Sequence, residues 1–204
     1  MEVACLDLEG VLVPEIWIGV AQRTGIAALR ATTRDVPDYD ALMRQRLAHL
    51  DRHGLGIADI QAVIETLDPL PGAALFLDWL RARFQVVILS DTFYEFATPL
   101  MRKLGWPTLF CNHLDVGEGG KIINYRLRQV DQKRQAVKAL RALNFRTIAA
   151  GDSYNDTNMM AEADAAMFFC PPSDIAEKFP QYPVVHSYQE MREAFRRASA
   201  RPLL

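Results

Sequence analysis

Two acidic side chains stand directly after a short apolar run near the amino terminus. Asp7 and Glu9 follow residues 3–6, and Gly10 comes next. The uncharged run is typical of a fully buried strand in a parallel sheet, and Gly10 allows the chain to turn. Two carboxylates ~4 Å apart would repel by about 4 kcal/mol at an effective dielectric of 20. If the bend at Gly10 brings Glu9 beside Asp7, a cation, a shared proton or a wider separation must relieve that repulsion. A strand that ends in solvated acids explains this motif equally well on its own.

Polar residues also follow two later apolar runs that we predict to be strands. Residues 90–92 (Ser-Asp-Thr) come after residues 85–89, and residues 151–156 come after residues 146–150. Because the carboxyl ends of parallel strands lie on one edge of a sheet, we expect these groups to share a site with Asp7.

The last of these segments combines acids with a helix start. Asp152 and Asp156 flank Asn155, and a helix that begins near Tyr154 would aim free N–H groups at an anion. Acids from separate strands beside anion donors indicate a divalent metal and a phosphate, and Mg²⁺ fits best because it takes oxygen ligands and accompanies phosphates. Lys133, at the start of the preceding helix, is the candidate cation that offsets the phosphate charge, although a solvated surface is the usual place for a lysine.

The elements between these motifs predict an α/β fold with a doubly wound parallel sheet. Strand and helix alternate after residue 71, whereas residues 14–70 contain helices without a convincing strand. We therefore expect a core domain (residues 1–13 and 71–204) and a small all-helical cap domain (residues 14–70). The predicted cap helices are residues 14–23, 26–31, 38–53 and 57–67. The predicted core elements are helices 72–84, 93–104, 132–143, 154–162 and one from about 188, strands 85–89, 108–111, 146–150, 165–169 and 184–186, and a hairpin over 114–128.

Composition limits the classes of partner. The chain has 204 residues, half of them hydrophobic, with a formal net charge of −2, which gives no electrostatic reason to expect nucleic acid. No apolar run is long enough to span a bilayer, and the amino terminus lacks a secretory pattern, so we expect a cytoplasmic protein. Cys5, Cys111 and Cys170 are widely spaced and are expected to be small buried thiols. The oligomeric state stays open, with a homodimer as one option.

Four motifs in order resemble those of the haloacid dehalogenase-like phosphohydrolases: Asp7-x-Glu9-Gly10-Val11, Ser90, Lys133 and Gly151-Asp152-x-x-Asn155-Asp156. The helical insertion after the first strand resembles the cap of the phosphoserine phosphatase branch. The segments over residues 1–15 and 89–96 are similar to those of bifunctional phosphoserine phosphatase/homoserine phosphotransferase proteins. The likeness to these proteins runs nearly end to end along the chain.

The resemblance implies a role for each matching residue. Asp7 would be the nucleophile that forms an aspartyl-phosphate, and Glu9 would act as general acid and base. The implied Mg²⁺ ligands are Asp7, the backbone carbonyl of Glu9 and Asp152, with Asp156 ordering the metal-bound waters. The implied phosphate contacts are Ser90, the N–H of Asp91, Lys133 and Asn155.

Two positions depart from the family pattern. Glu9 stands where most members carry Asp, and Asp91 stands where phosphoserine phosphatases usually carry Gly. The longer acid alters the reach of the proton donor. The Asp91 side chain adds an anion or a hydrogen-bond acceptor near the substrate.

The cap is expected to select the substrate. Arg46 falls near the centre of the apolar stripe of the helix over residues 38–53, so it needs an anionic partner. It is either a structural or snorkelling side chain or a carboxylate clamp, since guanidinium binds carboxylate as a fork. In the resemblance, Glu15 and Arg46 would bind the amino and carboxylate groups of phosphoserine, although an acid in the first turn of a helix is also favoured by the helix dipole.

Three functions remain open on the sequence. The first is Mg²⁺-dependent hydrolysis of phosphoserine, with transfer of the same phosphoryl group to homoserine as an added activity. The second is a phosphatase of another small phosphorylated metabolite. The third is a non-catalytic phosphate-binding or switch module, which would not need Glu9 or so long a helical insertion.

Overall fold

The apolar runs form a seven-stranded sheet in the computed structural model, which describes residues 1–32, 35–36 and 38–201. The strand order is β4-β3-β2-β1-β5-β6-β7, and neighbours are parallel except for the antiparallel pair β3 and β4. The first strand therefore lies at the centre of the sheet. The strands are β1 (Glu2–Leu6), β2 (Gln85–Phe93), β3 (Thr108–Val116), β4 (Ile122–Arg126), β5 (Arg146–Gly151), β6 (Ala165–Phe169) and β7 (Val184–Val185).

Helices cover both faces of this sheet, and each face has its own apolar cluster. β1 is buried along its whole length, as the uncharged run over residues 3–6 predicts, and its first residue, Glu2, is buried as well. The predicted doubly wound α/β fold is therefore confirmed, with one antiparallel edge strand. The helices are α1 (Ile16–Thr24), α2 (Tyr39–Arg52), α3 (Ile57–Glu65), α4 (Ala73–Arg81), α5 (Tyr94–Lys103), α6 (Gln132–Ala142), α7 (Thr157–Glu162), α8 (Ser173–Lys178) and α9 (Tyr188–Ala198).

A helical insert, residues 14–70, contains α1 to α3 and follows the first strand. Its two ends meet, because the N–H of Leu70 donates to the carbonyl of Leu12 at 2.9 Å. Asp38 caps α2 by accepting from the N–H of Ala41, as its sequence position predicts. Thr33, Arg34 and Pro37 of the insert, and residues 202–204, lie outside the described residues.

Edge-on contacts between aromatic rings help to pack the insert onto the core. The Trp17 ring meets the Phe96 ring edge-on at 5.3 Å between centroids. Tyr39, at the start of α2, meets Tyr125 of β4 in the same way at 5.8 Å. These contacts place the insert over the carboxyl edge of the sheet.

Several predicted bounds differ from the structure. β2 continues through residues 90–93, where its register against β3 shifts, so these residues extend the strand instead of forming a turn and a helix start. The first strand of the predicted hairpin is the continuation of β3 itself. The segment predicted as a second helix is a 3₁₀ turn over Ala27–Arg30.

Two further features were not anticipated. α8 follows two prolines and has only six residues, so its sequence shows no helical periodicity. Cys170 is exposed, contrary to the expectation of three buried thiols, because it lies in the loop after β6 and not in the strand itself. Among the described residues, no helix has both the length and the apolar character needed to cross a membrane.

Candidate active site

Three carboxylates converge at the carboxyl edge of the sheet. Asp7 follows β1, Asp152 follows β5, and Asp156 lies one short 3₁₀ turn later. One oxygen from each lies within 4.8 Å of the other two. Gly10 has a φ of +76°, and a Cβ atom there would collide with the Asp152 carboxyl group. The glycine therefore lets the loop after β1 pass directly over the acids.

Lys133 places a buried ammonium group among these acids. Its Nζ lies 2.9 Å from Asp7 Oδ1 and 2.8 Å from Asp156 Oδ1, and only 3% of its side chain is exposed. The long side chain spans the gap between the start of α6 and the strand ends. Asp156 is held in turn by the N–H groups of Asp152 and Ser153, at 3.0 and 3.1 Å.

Burial and mutual repulsion shift the acidities of this cluster. Burial, followed by the charge of Asp156, raises the pKa of Asp7 well above its usual value. The same two causes raise the pKa of Asp152 to about 7. Burial alone would lower the pKa of Lys133, but the charges of Asp156 and Asp7 raise it well above its usual value. The cluster thus carries more carboxylates than its single ammonium group can neutralise, which is the environment of a cation site.

The bend at Gly10 turns the Glu9 side chain away from Asp7, which is one of the two options that its spacing left open. Its carboxylate does not join the Asp7 cluster; Oε2 accepts a hydrogen bond from the N–H of Ile16 at 2.9 Å. The side chain therefore turns toward the insert, where Glu15 is its neighbour. Burial, and then the charge of Glu15, raise the pKa of Glu9 to about 8. A carboxylic acid that stays protonated near neutral pH is suited to donate a proton.

Arg46 lies on the insert side of the same space. It is buried, with 8% exposure, and its guanidinium carbon is 4.6 Å from the centroid of the Trp17 ring. Nη2 donates to the carbonyl of Ala31 at 2.8 Å, while Nε is buried without a hydrogen-bond partner among the described residues. Since a buried, partly unsatisfied cation is costly, this geometry favours an anionic ligand. Glu15 itself is exposed and is the N-cap residue of α1 instead of an acid within its first turn.

Ser90 and Asp91 lie in β2 next to the acids. Ser90 is buried, with 1% exposure, and its hydroxyl accepts from the N–H of Thr92 at 3.2 Å. The Asp91 carboxylate accepts from the side-chain amide of Asn155 at 3.0 Å. Apart from the Glu9 carboxylate, which turns to the insert, the structure brings the groups predicted at strand ends to one edge, and Glu15 and Arg46 lie on the insert side of the same space.

Two buried amide side chains that sequence reasoning missed hold this segment of β2. Gln132 Nε2 donates to the Ser90 carbonyl and, at 3.1 Å, to Asp91 Oδ1. Asn112 Nδ2 donates to the Asp91 carbonyl at 3.0 Å. Gln132 is the residue before Lys133, but a single polar residue at a helix start carries no sequence signal of such a role.

Comparison with known proteins identifies the class of hydrolase. The sequence profile of the haloacid dehalogenase-like hydrolases matches residues 1–164, which is most of the chain. The protein therefore belongs to the haloacid dehalogenase-like hydrolase family.

The curated relatives include two pseudomonad proteins of similar length. A phosphoserine phosphatase of Pseudomonas syringae pv. tomato is 62% identical over 204 residues, covering 100% of this chain and 86% of its own length. The phosphoserine phosphatase ThrH of Pseudomonas aeruginosa is 61% identical over 203 residues, covering 100% of this chain and 99% of its own length.

Solved structures agree on the fold. A phosphoserine phosphatase described as a phospho-aspartyl intermediate analogue aligns with a TM-score of 0.77 at 20% identity, covering 94% of this chain and 97% of that one. A substrate-bound phosphoserine phosphatase complex aligns equally well, with a TM-score of 0.77 at 21% identity, covering 96% and 97%. At this identity the likeness concerns the fold alone.

Proposed function

We propose that this protein is a Mg²⁺-dependent phosphoserine phosphatase that works through an aspartyl-phosphate on Asp7. The observation that carries the proposal is the buried cluster in which Asp7 lies 2.9 Å from Lys133 and within 4.8 Å of Asp152 and Asp156. Two relatives with the name phosphoserine phosphatase, 61% and 62% identical over the whole chain, support the substrate.

Asp7 and Glu9 divide the covalent chemistry between them. An Asp7 carboxylate oxygen bonds to phosphorus while the bond from phosphorus to the serine oxygen breaks, and Glu9 gives its proton to that oxygen. Glu9 then takes a proton from water, whose oxygen attacks the aspartyl-phosphate and releases inorganic phosphate and the free Asp7 carboxylate. The raised pKa of Glu9, about 8, supports its first role.

The donor set fits a magnesium ion. Asp7 and Asp152 would hold it together with the backbone carbonyl of Glu9, and Asp156 would orient its waters. Carboxylate and carbonyl oxygens are the ligands that Mg²⁺ prefers, and the shortage of positive charge in the cluster supports a cation there. When bound, Mg²⁺ supplies positive charge that stabilises the transferring phosphoryl group.

Four groups around Asp7 would hold the phosphoryl oxygens. They combine a buried ammonium, a hydroxyl, an amide and a backbone N–H, which suits a tetrahedral anion. These groups are Lys133 Nζ, Ser90 Oγ, Asn155 Nδ2 and the N–H of Asp91.

The helical insert, residues 14–70, would act as a cap domain that selects the substrate. Arg46 would bind the substrate carboxylate, for which its unsatisfied buried Nε is available. Glu15 would bind the ammonium group. Both stand on the insert side of Glu9, and the charges of both act on its pKa.

Phosphate release from phosphoserine, with and without Mg²⁺, tests the proposal. We expect strong preference for phosphoserine over sugar and nucleotide monophosphates, and loss of turnover in Asp7→Asn. If sugar phosphates were turned over better, the aspartyl chemistry would stand and the Glu15 and Arg46 assignment would fall. If no phosphate ester were hydrolysed, a non-catalytic phosphate-binding module would replace the proposal. Turnover that persisted in Asp7→Asn would discard the covalent mechanism.

We further propose that the aspartyl-phosphate passes its phosphoryl group to homoserine when that alcohol replaces water. The resemblance to bifunctional phosphotransferases in residues 1–15 and 89–96 supports this acceptor, and Glu9 would deprotonate its hydroxyl. Product analysis at high homoserine is the test, because hydrolysis gives inorganic phosphate and transfer gives O-phosphohomoserine. Absence of O-phosphohomoserine would exclude the proposed transfer to homoserine and would leave the proposed hydrolysis unaffected.

A further inference from the structure

The Asp91 side chain contacts the groups that are best suited to hold phosphate. Its Oδ2 accepts from Asn155 Nδ2 at 3.0 Å and lies 3.8 Å from the Lys133 ammonium nitrogen. Its Oδ1 accepts from Gln132 Nε2 at 3.1 Å. A carboxylate and a phosphoryl group are both anions with several acceptor oxygens, so they suit the same donors.

We propose that the Asp91 carboxylate occupies the phosphate-binding groups of the free enzyme and competes with every phosphate ligand for them. The inference rests on the proposed function, because that function assigns phosphoryl oxygens to Lys133 and Asn155. It adds a role for the side chain of Asp91, whose N–H alone was assigned above.

The competing group can move without disturbing the strand that carries it. The Asp91 carbonyl is fixed by Asn112 Nδ2 at 3.0 Å and by the Tyr39 hydroxyl at 3.3 Å. Asn112 is buried, with 1% exposure, whereas 41% of the Asp91 side chain is exposed. A rotation of this side chain toward solvent therefore frees Asn155 and Lys133 while the backbone N–H of Asp91 keeps its place.

The carboxylates around Lys133 show why Asp91 is the group that a phosphate would displace. Three carboxylates surround the Lys133 ammonium, and Asp7 and Asp156, at 2.9 and 2.8 Å, are both buried. Asp91 is the exposed member of the three, so it is the one that an entering anion can displace. If it stayed in place, its charge would repel the phosphate at close range.

Competition by Asp91 has different consequences for phosphoserine, the substrate, and for inorganic phosphate, the product. A ligand that binds a site open only part of the time loses affinity by the same factor whatever its other contacts. Phosphoserine offsets that loss through Glu15 and Arg46, whereas inorganic phosphate has no group to reach them. Asp91 therefore favours release of inorganic phosphate while substrate still binds.

The test compares inorganic phosphate as an inhibitor of wild type, Asp91→Asn and Asp91→Gly, with Mg²⁺ present and p-nitrophenyl phosphate as substrate. We expect both variants to lower the inhibition constant at least about tenfold, which corresponds to about 1.4 kcal/mol. Asp78→Asn is the matched control, because it removes the same charge from a side chain on α4 that is 72% exposed. It should leave the constant unchanged.

A binding measurement separates competition from recognition of the substrate amine. In an Asp7→Asn background, which blocks turnover, calorimetry gives the dissociation constants of phosphoserine and inorganic phosphate with and without Asp91→Asn. Competition predicts that both constants fall by the same factor. Weaker binding of phosphoserine with unchanged binding of phosphate would make Asp91 a substrate contact and overturn the inference, as would an unchanged or raised inhibition constant in both single variants.

Failure of the proposed function would be seen separately. A wild-type protein that does not hydrolyse phosphoserine would refute the proposed function. The Asp91 variants test only the competition for the phosphate-binding groups. Melting temperatures of both Asp91 variants verify that each is folded, and Asp91→Gly carries the test if Asp91→Asn is not.

Discussion

Replacement of Asp152 by Asn should stabilise the metal-free protein while it abolishes Mg²⁺ binding. Asp152 contributes one of three carboxylate oxygens that lie within 4.8 Å of one another. At that separation and an effective dielectric of 20, one pair of charges repels by about 3.5 kcal/mol. Asparagine keeps nearly the same shape without the charge.

Two effects reduce this figure. Asp152 is only partly buried, so solvent screens part of the repulsion, and Lys133 attracts it. We therefore expect a net gain of about 1–2 kcal/mol in the free energy of unfolding, or about 2–8 °C in melting temperature for a chain of this length. The measurement should be made near pH 8, where Asp152 is ionised because its pKa is about 7.

Thermal unfolding in EDTA and in excess Mg²⁺ gives the decisive comparison. In EDTA the variant should melt above wild type. In Mg²⁺ the order should reverse, because a ligand at about 100 times its Kd adds about 2.7 kcal/mol to a protein that binds it. Asp78→Asn should follow wild type in both buffers. An Asp152→Asn protein that melts below wild type in EDTA would refute the electrostatic reasoning, and one that gains as much from Mg²⁺ as wild type would refute the role of Asp152 as a metal ligand.

Three further predictions follow from the shifted acidities and the buried arginine. The pKa of Asp152 in the folded protein is raised to about 7, so between about pH 4 and pH 7 the folded protein binds more protons than the unfolded chain. The free energy of unfolding in EDTA should therefore fall as the pH rises from about 4 to about 7. Urea titrations should show a weaker pH dependence of this free energy for Asp152→Asn. Glu9→Gln should lower kcat/KM by roughly 10²–10⁴-fold and remove a decline in activity above about pH 8, whereas unchanged turnover would exclude its acid–base role. Arg46→Ala should raise KM for phosphoserine about tenfold or more but hardly change KM for p-nitrophenyl phosphate. Arg46→Lys should give a KM for phosphoserine between those of wild type and Arg46→Ala. Equal effects on both substrates would contradict the carboxylate clamp.

The meeting of polar groups at one sheet edge was predictable because apolar runs are local signals, although β2 itself continues past Ser90 to Phe93. An uncharged apolar run predicts a buried parallel strand, and the polar residues that follow it then share an edge with those of its neighbours. Asp7, Ser90 and Asp152 meet on this basis alone. The acid cluster therefore required no knowledge of the loops between the strands.

The direction of Glu9 was not predictable in the same way. Its spacing from Asp7 gave two options for the bend at Gly10, and the outcome depends on Ile16, whose N–H captures the Glu9 carboxylate. That partner belongs to the insert, seven residues further along the chain. A site residue whose orientation is set by another element cannot be oriented from its own motif.

The segment around Asp91 extends this argument to the whole phosphate site. Its carbonyl and carboxylate are held by Tyr39 of the insert, Asn112 of β3 and Gln132 of α6, three elements far apart in sequence. None of these residues belongs to a motif, yet Tyr39 and Asn112 fix the backbone of Asp91 and Gln132 contacts its carboxylate. Tyr39 and Asn112 hold only the carbonyl, so the backbone N–H of Asp91 keeps its place when the carboxylate leaves Gln132 and Asn155. Because these partners come from separate elements, the orientation of Asp91 could not be predicted from its own motif.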